Sequence, residues 1–427
     1  MNCVQDKILH AHDERRPKTG PAANSARLEM ASSAALGIHL AVYDSLDAIE
    51  QTWRRFEPSA DCTVFQTFDY LAAWQKHIGA RQNIVPAIVS AEQDNGQILF
   101  LLPLAVDADG MVRRLRWLGH DLCDYLAPVL ASDFTRSIAP DRFVQLWREI
   151  CNLLQSDPRF AYDMIELRKM PMMVGTQPNP FLHLDVALHS SGAHSVKLHG
   201  DWETFYACKR SASTRRHDRA KRKRLAEHGE IRLITPADDG DIVRTVETLI
   251  HDKSESLARM GAADLFMRPG VHEFYVDLAT NPRTHKLVHV SRLQVGTISA
   301  ATNLGLQYRN RYYYVLASYD HGEISRFSPG AVHLRELMQR ALELCFQEFD
   351  FTIGDEGYKY EWSDTETMLY DHLAAVTARG WLIVVLYRAF SRLKRAIKQT
   401  PILWRAYRGI RAEIGSLHHA KRAHPDR

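Results

Sequence analysis

Between residues 286 and 353 the chain reads strand, strand, strand, loop, helix, strand, and that order leaves few ways to fold. Residues 286–293, 297–306 and 311–317 are rich in β-branched and aromatic side chains, which suit a pleated, half-buried surface. Gln294-Val295-Gly296 and Tyr308-Arg309-Asn310 separate them as tight turns, so the three are expected to form an antiparallel meander. A helix then precedes a buried strand at 349–353. Strands of one sheet joined across a helix lie parallel, with a right-handed crossover. The helix is legible from Leu334, Leu337, Met338, Ala341 and Cys345, which recur at three- and four-residue steps and predict one buried stripe.

What flanks this helix and strand has the layout of a site. Ser325-Arg326-Phe327-Ser328-Pro329-Gly330 leads into the helix. There serine can cap free N–H groups, proline pre-sets φ and glycine permits close backbone approach. Such a helix start suits an anion, because unpaired N–H groups and the helix dipole both favour negative charge. After the strand, Gly354 turns the chain into Asp355, Glu356, Tyr358, Lys359 and Trp362.

The first half repeats the grammar. Strands are predicted at 83–90, 98–106 and 111–118, turned by Asp94-Asn95-Gly96 and Asp109-Gly110, then a loop, a helix at 141–154 and a strand at 163–167. Helices at 68–78 and 241–260 precede the two meanders. The expected fold is therefore α+β, with two similar units in tandem at 36–174 and 196–380, each a mixed, mostly antiparallel sheet flanked by helices. A linker at 175–195 joins them, a polar disordered leader spans 1–32, and a basic helical tail spans 381–427.

This order, with the S-P-G loop and the D-F-x-x-G-D-x-x-Y-K-x-x-W pattern, resembles the GNAT acyltransferase superfamily, in particular its CelD-type branch in cellulose and exopolysaccharide biosynthesis. It is more distantly similar to FemAB-type peptidyltransferases. The resemblance implies tandem GNAT-like domains and acyl transfer from acetyl-CoA or another acyl-CoA. The pyrophosphate would be held by Arg326, Phe327, Ser328, Pro329 and Gly330. The Gly-x-Gly/Ala loop of many acetyltransferases is absent, and the S-R-F-S-P-G segment stands in its place. Asp124 and Tyr125 resemble a D-Y pair of CelD-type relatives and would line an acceptor cleft between the domains, although capping of the local loop fits them equally.

Transfer from a thioester needs a positioned nucleophile, a route for its proton and donors for the developing oxyanion. No Gly-x-Ser-x-Gly elbow or cysteine signature is present, which favours direct transfer in a ternary complex. Asp355 is the first candidate for base or acceptor-orienting group and Glu356 the second. Tyr358 would return a proton to the leaving thiolate, Lys359 would hold acceptor charge, and Trp362 would line the acceptor site. Asp350 is read as fixing the strand end.

Charge is unevenly spread. The net is +3 over 427 residues, yet residues 381–427 hold eleven Lys or Arg against two acids, and residues 209–224 hold nine against one Asp. Such patches meet phosphates, anionic sugars, nucleic acid or lipid head groups. In the 209–224 helix, Arg215, Arg216 and Arg219 would grip a phosphate-linked acceptor such as a nucleotide sugar or lipid-linked glycan. A solvated, self-repelling helix face is an equal reading, and tRNA is the partner in an alternative one. The amphipathic basic run at 388–411, interrupted by Pro401, is expected to dock on the protein, with occasional contact with an anionic membrane.

Six cysteines without a C-x-x-C pair, all at expected core positions, argue for a reducing, cytoplasmic setting, peripheral at most to the inner membrane face. His183, His189, His194 and His199 lack metal-site spacing, so no metal is expected. The leading function is an acyl-CoA-dependent N- or O-acyltransferase acting on a sugar or polysaccharide precursor. The alternatives are an aminoacyl-tRNA-dependent peptidyltransferase and a non-catalytic module of a polysaccharide-synthesis complex.

Overall fold

The computed structural model describes residues 27–33, 37–108 and 110–399, and the rest of the leader and tail lies outside them. In the first unit the strands are β1 (Arg27–Ser33), β2 (Ile38–Tyr43), β3 (Ile84–Gln93), β4 (Ile98–Asp107), β5 (Arg114–Trp117), β6 (Val129–Leu130) and β7 (Met164–Pro171). Its helices are α1 (Glu50–Phe56), α2 (Phe68–Trp74), α3 (Phe134–Ser137) and α4 (Pro140–Ser156). The chain continues through β8 (Met173–Val174), β9 (Gln177–Pro178) and β10 (Val186–Leu188) to β11 (Ala193–Lys197), α5 (Trp202–Lys209) and α6 (Ala212–Ala226). Next come β12 (Ile231–Ile234), α7 (Asp239–Arg259), α8 (Val271–Thr280), β13 (Val288–Val295), β14 (Ile298–Tyr308) and β15 (Arg311–Tyr319). The last elements are α9 (Pro329–Glu343), β16 (Glu348–Ile353), α10 (Gly357–Trp362), β17 (Thr365–Thr367), β18 (Leu369–Ala375) and α11 (Ala378–Gln399).

The two expected meanders and crossovers are present. β3 and β4 pair antiparallel through the Asp94–Gly96 turn, where Gly96 N–H donates to Gln93 O and Asn95 Oδ1 accepts from Gln97 N–H. β13, β14 and β15 follow as an antiparallel run. Each helical crossover closes with a parallel pair, β5 on β7 and β15 on β16. Both sheets are mixed and flanked by helices, as the α+β reading required.

Several boundaries differ from the sequence reading. Residues 27–33, of which 27–32 fall in the expected leader, pair with β2. The 175–195 segment is structured rather than a free linker, because β9 pairs β8, β10 enters the first sheet and β11 opens in the second. β18, allotted by sequence to the second unit, lies in the first sheet between β7 and β10. There it satisfies the edge of β7, whose N–H and C=O groups would otherwise face water. One hydrophobic cluster runs through both units, joining Phe65, Trp74 and Tyr125 to Phe274, Leu304 and Tyr313.

Cys345 is exposed, not part of the α9 stripe. The helix ends before it in a Schellman cap: Phe346 N–H reaches Ala341 O and Cys345 N–H reaches Leu342 O, which puts Cys345 at φ +61°. Phe346 then packs against the core in its stead. Cys208 is exposed too, so only Cys62 and Cys123 of the described cysteines are fully buried.

Candidate active site

The parallel pair in the second unit is short. β15 and β16 match at Arg311 with Glu348, Tyr312 with Phe349 and Tyr313 with Asp350, and the pairing stops there. β15 continues to Tyr319 against β14 alone, while β16 continues to Ile353 against β11. The strands part because β16 bulges: its register against β11 shifts between Ser195 and His194, and Thr352 sits at φ +59°. For a β-branched residue this is a strained conformation, and Asp350 Oδ1 holds it by accepting Thr352 N–H at 2.8 Å. The result is a wedge open at the strands' C-terminal ends. Tyr358 stands edge-on to Tyr314 and Phe351 along it, half-buried, with its hydroxyl pKa raised by that burial.

The S-R-F-S-P-G segment lies at the open end. Ser328 adopts φ +58° and makes no cap to the first turn of α9, contrary to expectation. Its hydroxyl accepts instead from Lys221 Nζ at 3.0 Å. Pro329 has no N–H, and Ala331 and Val332 N–H both bond to Ser328 O. A Cβ on Gly330 would come within 3.2 Å of the Tyr319 ring, so any larger residue there would require that ring to give by a few tenths of an ångström. Arg326 is exposed and stacks on Phe327 at 4.9 Å.

Lys221 belongs to the basic helix α6, which is anchored on α5 and α9. The buried Asp218 pairs with Arg335 of α9 at 3.1 Å and accepts from Tyr206 OH at 2.6 Å, while Arg222 meets Glu336 at 3.2 Å. α6 is thereby grouped with the S-P-G loop. Arg216 and Arg219 point to solvent and Arg215 is half-buried.

The face between the units is built around Asp350. This carboxylate is wholly buried; it accepts from Tyr125 OH at 2.8 Å and from Arg311 Nη1 at 3.1 Å. Arg311 also reaches Glu348 at 2.7 Å, which Lys197 meets at 2.7 Å. Burial pushes the Asp350 pKa up to about 6 against the pull of Arg311. Tyr125, Tyr308, Arg309, Arg311, Tyr313 and Glu348 line part of a cavity of about 660 Å³ between the units. It opens at the N-terminal ends of β15 and β16, opposite the S-P-G loop. Beside Tyr125, Asp124 has its pKa raised by burial, shares a side-chain hydrogen bond with Thr352 and lies near Lys169, which donates to Cys123 O at 2.8 Å.

The turn after β16 divides the remaining candidates. Asp355 and Glu356 are exposed, and Ser191 Oγ donates to Asp355 at 2.9 Å. Lys359 is buried and turned inward, donating to Ile353 O at 2.7 Å and pairing with Glu356 at 3.1 Å, so its charge is committed to the turn. Trp362 is core rather than an acceptor surface: it is buried, stacks on Tyr206 and lies under Arg210 at 4.9 Å.

Sequence reasoning missed two groups. Lys253 on α7 donates to Ala317 O on the wedge wall at 3.2 Å, and burial lowers its pKa. His194, placed in the linker, is 1% exposed beneath Tyr360, with no hydrogen-bond partner on either ring nitrogen. Among the described residues no group of three or more His, Cys, Asp or Glu could hold a metal ion, and no helix is long and apolar enough to cross a membrane.

Residues 212–360, which contain the wedge, the S-P-G loop and α6, match the acetyltransferase (GNAT) domain family. Among solved structures, FemX resembles this chain with a TM-score of 0.51 at 10% identity, over 76% of this chain and 96% of FemX. L-PGS from Bacillus licheniformis has a TM-score of 0.47 at 13% identity, over 80% of this chain and 96% of its own. A tandem GNAT protein from the clavulanic acid biosynthesis pathway has 0.38 at 10% identity, over 79% and 98%. At such identities the FemX likeness is one of fold. A comparison with curated proteins gave no match.

Proposed function

We propose that the protein is an acyl-CoA-dependent acyltransferase that moves an acyl group to an amine or hydroxyl of a sugar or polysaccharide precursor. The observation that carries this is the parting of β15 and β16 above Tyr313 and Asp350, with the S-P-G loop and Lys221 at its open end. Acyl-CoA supplies an activated thioester. Lys221, Ser328 and the start of α9 suit its phosphates, and Tyr314, Phe351 and Tyr358 form a dry wall for the chain that follows.

The acceptor enters at the open C-terminal end of the wedge, beside Asp355. Its nitrogen or oxygen attacks the thioester carbon and the C–S bond breaks. At the base of the wedge the acceptor's proton passes through the Tyr125 hydroxyl to Asp350, whose raised pKa gives it proton affinity near neutrality. Tyr358 protonates the departing thiolate and recovers its proton from water at the open end of the wedge. Asp355, exposed and held by Ser191, orients the acceptor. The CelD-like pattern supports the polysaccharide class, and the lack of a Gly-x-Ser-x-Gly elbow in the sequence favours direct transfer.

Purified protein incubated with an acyl-CoA panel and candidate amino sugars, with free thiol followed, tests the reading. Acceptor-dependent thiol release is expected, reduced by Asp355→Ala. No release with any donor sinks it. The exposed Arg216 and Arg219 keep a second reading open: tight, salt-sensitive tRNA binding would point to an aminoacyl-tRNA-dependent peptidyltransferase.

A further inference from the structure

α11 has two unlike faces. On one, Val384 is buried, and it packs with Ile383 and Tyr387 against Val112, Met164 and Leu373. The contact is close, since a Cβ on Gly380 would collide with the carbonyl of Asp163. Arg168 stacks over Tyr387 at 4.3 Å, and Arg388 donates to Leu373 O at 3.0 Å. α11 is thus fixed on the first sheet.

On the other face, Trp381, Leu382, Val385 and Leu386 are 61%, 54%, 41% and 57% exposed. Their spacing of one, three and one residues puts all four on one stripe. Single exposed apolar residues need no explanation, but four adjacent large ones mark a contact surface. The sequence also says which kind. From residue 378 to 412 there are nine Lys or Arg and no Asp or Glu. Two copies of a segment so basic in sequence would meet with like charge, whereas an anionic lipid surface offers both an apolar layer and the opposite charge.

We propose that this face of α11 seats the protein on an anionic membrane surface, with Trp381 and Leu386 entering the boundary between head groups and acyl chains. The helix lies in the interface and does not span. The proposal is independent of the acyl-transfer reading.

Co-sedimentation of the full chain with vesicles tests it, using phosphatidylcholine alone and phosphatidylcholine mixed with phosphatidylglycerol. Binding to the anionic vesicles, weakening as salt rises, is expected. Trp381→Ser combined with Leu386→Ser should lower the partition by about tenfold without moving the melting temperature, because both side chains are exposed. Equal, salt-insensitive binding to neutral vesicles overturns the proposal, as does undiminished partition of the double variant. Self-association of the wild type by light scattering that the double variant abolishes would also overturn it, by assigning the face to a second copy.

Discussion

The hydroxyl of Tyr125 donates to the carboxylate of Asp350 at 2.8 Å across 225 positions of chain, so one unit completes the hydrogen bonding of a buried charge in the other. Tyr125→Phe removes that donor and leaves Arg311 and Thr352 N–H to hold the carboxylate. A loss of about 1 to 3 kcal/mol is expected in urea unfolding. Under the proposed relay, kcat falls while affinity for acyl-CoA stays constant. An unchanged kcat in a variant with this stability loss would reduce the bond to a structural tie.

Lys221→Gln should weaken coenzyme A binding by about five- to tenfold, the order of one charge-assisted contact, and leave the melting temperature nearly unchanged. Calorimetric titration with coenzyme A decides it. An identical Kd in wild type and variant would remove Lys221 from the donor site.

Acid should destabilise the fold through its buried histidines. His333 bonds to Ser291 Oγ at 3.1 Å and His289 to Tyr312 OH at 2.9 Å, and burial lowers their pKa values from 6.5 to about 3 and about 4. The folded protein therefore binds fewer protons than the unfolded chain below pH 6.5, and stability falls as pH drops through that window. Asp350, raised from 3.8 to about 6, acts in the opposite sense and loses stability as pH rises between those values. Two histidines against one carboxylate leave a net loss of about 2 to 3 kcal/mol between pH 7 and 5. The urea midpoint at the two pH values measures it, and His333→Gln should flatten the slope.

Cys345 sits at φ +61° where a Schellman cap prefers glycine. Cys345→Gly should raise stability by about 0.5 to 1 kcal/mol, visible as a higher urea midpoint with an unchanged slope. A lower midpoint would mean that the exposed thiol makes a contact the cap geometry does not require.

Much of the architecture was legible because it is written in local periods. The α9 stripe, the β3–β4 turn and both crossovers depend on neighbours a few residues apart, and each lies within a few residues of its expected place. The site was less legible because its geometry is long-range. Lys221 meets Ser328 over 107 positions, and no local pattern links them. Lys359 and Trp362 look functional beside Asp355, yet packing from α5 and the turn itself takes both inward. Thr352 lies in a run that any propensity reads as plain strand, so its left-handed backbone left no trace. A usable signal did exist for Asp350: Glu348, Asp350 and Thr352 alternate with phenylalanines, which puts three polar side chains on one face of a buried strand.

The placement of β18 bears on how the molecule is born. Every other strand of the first sheet precedes residue 190, and β18, set between β7 and β10, ends at Ala375. A ribosome that has released all of the first unit therefore still withholds one of its strands, and the nascent sheet waits with β7 uncovered while the wedge, the S-P-G loop and α10 are synthesised. The two halves are expected to mature together once β18 has been synthesised, and a chain cut before Leu369 should fail in the unit it appears to leave intact.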